Sequence, residues 1–191
     1  MKRKFLAARD DLVTRIIQIA ESKNVTLFGL LNETLEQLIE AEQIGETLQQ
    51  IVAQHKVTKM AREVGFVLVK EELLNDVVDK VYETDNAALH KTWTMTGQWF
   101  GRFLQTRIRE QEPVNALEGT LRMLLWNATD FNIAENDGKL SLKCVGSRIP
   151  YAQTVLLSDF LIGIMNAFEY SSVKKSIDRG IISLDFVKPR Q

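Results

Sequence analysis

The first forty residues constrain this 191-residue chain more than any other stretch. A basic run, Lys2-Arg3-Lys4-Phe5-Leu6-Ala7-Ala8-Arg9, contains no acid and leads into two amphipathic stretches separated by Lys23-Asn24-Val25-Thr26. Leu12, Ile16, Ile19 and Ala20 recur at helical spacing, and so do Leu27, Leu30, Leu31, Thr34, Leu35 and Leu38. Asp10 or Asp11 is expected to cap the first helix, Asn24 to end it in left-handed backbone, and Thr26 to cap the second. One short strand and two short helices cannot bury these apolar sides within a single copy. A second copy must cover them.

The order of a basic strand, a helix, a tight turn and a helix resembles the ribbon-helix-helix family of DNA-binding proteins. The resemblance implies a dimer whose paired strands form a ribbon that enters the major groove. It also implies that Val25-Thr26-Leu27 forms a phosphate-clamp turn at the second helix N-terminus, with Asn24 where a glycine is common. Counting back from Leu12, Leu6 and Ala8 fall on the inward face, with Lys4 at its solvent edge. Arg3, Phe5 and Ala7 then face the groove, Arg3 toward guanine and Phe5 or Ala7 toward thymine methyls. Two apolar groove positions depart from the family, where polar side chains are usual. The candidate DNA-binding set is therefore Lys2, Arg3, Lys4, Phe5, Ala7, Val25, Thr26 and Leu27.

A formal net charge of −1 and a pI near 6.2 provide no general basic field, so any nucleic-acid contact must be local. The single Cys144 allows no intrachain disulfide and no cysteine cluster, which leads to the expectation of a reducing cytoplasm. No apolar run approaches the ~20 residues that span a bilayer. The basic start is followed directly by Asp10 and Asp11, unlike a signal peptide. A soluble chain with no membrane partner is expected.

Beyond the hairpin, 42–59 reads as a further helix with Ile44, Leu48, Ile51 and Val52 on one side and a bend at Gly45. Gly65-Phe66-Val67-Leu68-Val69 reads as a buried strand, followed by a helix from Lys70 to about Tyr82. A long helix over 87–109 is expected to end before Pro113, and a second one covers 116–127. Asn136-Asp137-Gly138 marks a hairpin between Asp130-Phe131-Asn132-Ile133-Ala134 and the alternating run 139–145. An apolar helix over 153–168 and a second hairpin around Asp178-Arg179-Gly180 complete the chain.

Gly97 through Phe103, the helix–hairpin unit from Leu117 to Val145, Phe160 through Gly163, and Gly180 with Phe186 stand in a characteristic order. In that order and spacing, 87–188 resembles the small-molecule-binding family named after 4-vinyl reductase. The resemblance implies a pocket-forming fold. At the two late positions where that family often carries cysteines, this chain has Ser176 and Leu184, and Val173 stands for the acidic residue expected before the first. No metal and no cofactor is expected.

His55 and His90 lack ligand-spaced partners, and neither a Ser-His-Asp nor a Cys-His arrangement can be assembled. The chain is therefore read as not an enzyme. Aromatic residues concentrate in the C-terminal half, and Gly97 and Gly101 admit another backbone or a ligand to close approach. The candidate ligand pocket is Trp93, Gly97, Trp99, Phe100, Phe103, Trp126 and Phe160.

The expected fold class is α+β: a dimeric ribbon-helix-helix over 1–42, a helical connector over 43–84 that reads equally as the first strand and helix of the C-terminal domain, and over 85–191 an α/β domain with antiparallel hairpins packed on helices. The expected function is a ligand-responsive, homodimeric transcriptional regulator that binds operator DNA at two-fold or repeated half-sites. The alternative is a dimeric small-molecule-binding or scaffolding protein that does not bind DNA.

Overall fold

The computed structural model describes residues 4–5, 7–108, 113–136 and 139–188. It divides into an N-terminal unit, Met1–Lys56, and a C-terminal unit, Val57–Gln191. The stretch 43–84, read from sequence as a connector, falls on both sides of that division.

The N-terminal unit holds α1 (Asp10–Ser22), α2 (Leu27–Gln43) and the beginning of α3 (Leu48–Glu63). Neither Asp10 nor Asp11 caps α1. Its N-cap is Arg9, which makes no side-chain cap bond, while the two aspartates occupy the first turn, where their charge still suits the helix dipole. Asp11 is taken up by a two-point pair with the Arg9 guanidinium, at 2.7 and 3.0 Å. The helix stop follows expectation: Asn24 has φ +54°, Val25 N–H donates to the Ala20 carbonyl and Asn24 N–H to that of Glu21. This is the Schellman closure, which satisfies carbonyls that the helix leaves open. Gly45 (φ +81°) ends α2 and Gly65 (φ +86°) ends α3 with the same pair of bonds.

Thr26 caps α2 as expected, its hydroxyl accepting from Gly29 N–H at 3.0 Å. The sequence read 42–59 as one bent helix; instead, the chain stops at Gln43 and restarts at Leu48. Thr47 and Gln50 form a reciprocal capping box there. Among the described residues of this unit only Ala20 and Ala41 are buried. Leu12, Ile19, Phe28, Leu31, Leu35 and Leu38 all remain exposed. The hairpin has no core within one chain.

The C-terminal unit is α+β. It comprises the end of α3, α4 (Glu71–Arg107), α5 (Pro113–Leu124), β1 (Asp130–Asn136), β2 (Lys139–Val145), α6 (Tyr151–Ala167), β3 (Ser171–Asp178) and β4 (Ile181–Val187). All strand pairs are antiparallel, in the order β1-β2-β4-β3. Both expected hairpins are present, although the Asp137-Gly138 turn lies outside the described residues. The β2–β4 pairing joins them. Its register sets Leu140 against Phe186, Leu142 against Leu184 and Cys144 against Ile182, so one face is continuous and apolar. Phe100 and Leu104 of α4, Leu117 and Leu121 of α5, and Leu161, Ile164 and Met165 of α6 complete that core.

Two expectations are corrected in this unit. Residues 66–70 form no strand: Val67 and Leu68 stay exposed, and Phe66 turns its ring to Phe100 at 5.2 Å. Apolar β-branched composition makes a strand only where a sheet edge accepts it, and this stretch pairs with none of the four described strands. The two helices expected, from Lys70 to about Tyr82 and over 87–109, are the two halves of α4: non-helical backbone at Asp85 (φ −149°, ψ 67°) divides them, and its carboxylate accepts from Ala88 N–H and so caps the second half. Pro113 opens α5 rather than closing α4, since its missing N–H is harmless at the first helical position.

Cys144 is buried on the inner face of β2, and burial pushes its thiol from 9.0 to about 11, with Asp130 adding to the effect. The thiol should therefore resist alkylation at about pH 8 in the folded chain and react on denaturation. Its folded value lies above its unfolded one, so its stabilising contribution is complete below pH 9 and lost as pH rises toward 11. Thiol titration with and without denaturant checks the first point, and chemical unfolding across that pH window checks the second. Among the described residues, no helix is long and apolar enough to cross a membrane.

Candidate functional site: an apolar cavity in the C-terminal unit

The two long helices of this unit touch backbone to backbone. A Cβ at Gly97 would lie 2.0 Å from the Phe160 carbonyl oxygen, and one at Gly163 would lie 2.2 Å from that of Thr94. The glycines thus admit a neighbouring backbone, α6, to close approach on α4. Beside this contact lies a cavity of about 410 Å³. That size falls in the range of small-molecule sites.

Five segments line it: Phe66 after α3; Leu74, Thr92, Trp93 and Thr96 of α4; Leu124, Leu125 and Asn127 at the end of α5; Ile149; and Gln153, Leu157 and Phe160 of α6. Positions 153, 157 and 160 share one helical face, as do 92, 93 and 96. The walls are apolar and aromatic. The polar groups are Thr92, Thr96, Asn127 and Gln153, and no charged side chain is among them. Gln153 is only 6% exposed, and its carboxamide makes no hydrogen bond to any described residue.

Of the residues named from sequence, Trp93 and Phe160 line the cavity. Gly97 lies at the α4–α6 contact, and Phe100 is buried in the core between the rings of Phe66, Phe103 and Phe160. Phe103 stacks on the exposed Trp99 and carries Arg107 over its ring, while Trp126 is exposed and outside the lining. Gln153 was missed. Its signal was a long amide near the start of the most apolar helix, where a polar side chain needs a reason to be buried.

A second polar cluster joins α4, α6 and β3. The buried Asp159 pairs through Oδ2 with Nδ1 of His90 and through Oδ1 with Lys175 Nζ at 2.7 Å. Tyr82 stands edge-on to the His90 ring at 5.8 Å, and its hydroxyl is pushed upward by burial, then by Tyr151 and Asp159. No hydroxyl or thiol among the described residues bonds the His90 ring.

In the N-terminal unit, Lys4, Phe5 and Ala7 are exposed and in no strand within the single chain, while Lys2 and Arg3 lie outside the described residues. Val25 and Thr26 form the turn between α1 and α2, and Leu27 is the first residue of α2.

No family model matches this chain, and no curated protein does. Among solved structures, a chain from a study of heme distortion in the H-NOX family is similar over 75% of this chain and 89% of its own. The identity is 13% and the TM-score 0.41, a level at which neither a fold family nor a ligand transfers.

Proposed function

We propose that this chain is a homodimeric, ligand-responsive DNA-binding transcriptional regulator, with a ribbon-helix-helix head and an effector cavity in the C-terminal unit. The observation that carries the reading is the core-less N-terminal hairpin. Two helices of 13 and 17 residues bury only two alanines between them, and their leucine stripes wait for a partner. A second copy of the same hairpin supplies a matching apolar face, and closed two-fold pairing uses each patch once. The Thr26-capped start of α2 and the preceding basic run then provide phosphate contacts. Arg9 is partly neutralised by Asp11, which leaves the basic character of the run to Lys2, Arg3 and Lys4. An occupant of the cavity changes DNA affinity only if it binds the DNA-competent and DNA-incompetent states unequally.

Titrating the full chain against genomic fragments at two salt concentrations tests the proposal. The wild type should retain a subset of fragments, and binding should weaken with salt as counterions are released. Arg3→Ala should cost on the order of 1–3 kcal/mol and relax sequence preference. Light scattering should give the mass of a dimer, and a stable monomer at micromolar concentration removes the head assignment. The fully exposed Phe5 favours a second reading, a dimeric small-molecule-binding or scaffolding protein that does not touch DNA. Retention of no fragment by a dimeric wild type selects it.

A further inference from the structure

The occupant of the cavity can be narrowed by what its wall lacks and what it leaves unpaired. We infer that the cavity takes an uncharged, largely apolar molecule that presents a hydrogen-bond donor and acceptor side by side, as a lactam or carboxamide does, to the side chain of Gln153. This rests on the reading of the cavity as an effector site.

Three observations lead there. First, no Asp, Glu, Lys, Arg or His lines the cavity, so a charged occupant would lose its hydration without gaining a counter-ion. Second, Trp93, Phe160, Phe66, Leu157 and Ile149 offer broad apolar surface, which suits a flat hydrophobic body. Third, Gln153 is buried and lines this space without a partner among the described residues. Its amide is not among the side-chain atoms shut away from solvent without a partner, so water satisfies it in the free cavity and an occupant must replace those bonds. A carboxamide carries both N–H donors and a carbonyl acceptor, so a group with only one function satisfies half of it. A lactam edge satisfies both at once. Asn127, half-buried on the same lining, is a second amide of the same character.

Equilibrium dialysis of the full chain with three probes tests this: quinolin-2(1H)-one, its N-methyl derivative and naphthalene. The N-methyl compound keeps the apolar body and the carbonyl but loses the donor. The wild type should retain the lactam about tenfold or more over the N-methyl compound, since an unmatched buried polar group is penalised. Gln153→Met, close to Gln in shape and without the amide, should bring that ratio to about one while naphthalene retention persists. Persisting naphthalene retention also shows that the variant still forms the cavity. If the wild type retains naphthalene and both quinolinones alike, the cavity is a ligand site but this assignment of its ligand is overturned. A preference that survives Gln153→Met overturns Gln153 as the anchor. Retention of none of the three removes the effector site itself, and the assignment with it.

Discussion

Gly163→Val is expected to destabilise the C-terminal unit by on the order of 3 kcal/mol or more, and to lower its melting temperature by about 10 °C. The added Cβ would sit 2.2 Å from the Thr94 carbonyl oxygen and 2.8 Å from the Gln98 nitrogen. Both obstacles are backbone, so no side-chain rotation relieves the clash, and α6 must move away from α4 along their whole contact. Gly97→Val should act alike from the other side, where the Phe160 carbonyl is the obstacle. Gly119→Ala is the opposite case. It lies within α5 with nothing near its added methyl, so it should gain about 0.5–1 kcal/mol of helix propensity. Thermal or denaturant unfolding of the three variants checks the signs. Wild-type stability in Gly163→Val would show that the two helices do not pack as described.

Asp159→Ala should cost about 1–2 kcal/mol: the carboxylate is buried, but the side chains of Lys175 and His90 are 35% and 38% exposed, so water offsets part of what they lose. Asp159→Asn retains the volume and one acceptor and should cost less. Removing Lys175 together with Asp159 should recover part of the loss, since the orphaned charge goes with its partner. A double-mutant cycle measured by denaturant unfolding reads the coupling directly. Strict additivity would mean that the pair contributes nothing and that Asp159 acts through packing alone. The three residues come from α4, α6 and β3, so the cluster acts as a polar staple across elements that the apolar core already holds.

What the sequence determined by itself was local. The stop at Asn24, the Thr26 cap, both hairpins and the alternating inner face of β2 depend on residues a few positions apart, and each was legible. The α+β class followed from those elements. Legibility failed where distant segments choose the outcome. The apolar run 66–69 has strand composition, but no described strand pairs with it, so Phe66 packs its ring on Phe100 instead. Pro113 opens a helix that periodicity alone began at Ala116.

The candidate site was the least legible part. Helical aromatics named from sequence are divided among the cavity, the core and the surface, because rotation about the helix axis decides which face meets a neighbour. Gly97 reads equally well as room for a ligand or for a backbone until α6 is seen to fill it. His90 and Asp159 are 69 positions apart, and no spacing rule reaches that far. Gln153 became a candidate anchor only once five separate segments enclosed it beside an open volume. Short-range hydrogen bonding and steric preference are written residue by residue. A cavity, by contrast, is what packing leaves unfilled, and only the tertiary structure decides where that is.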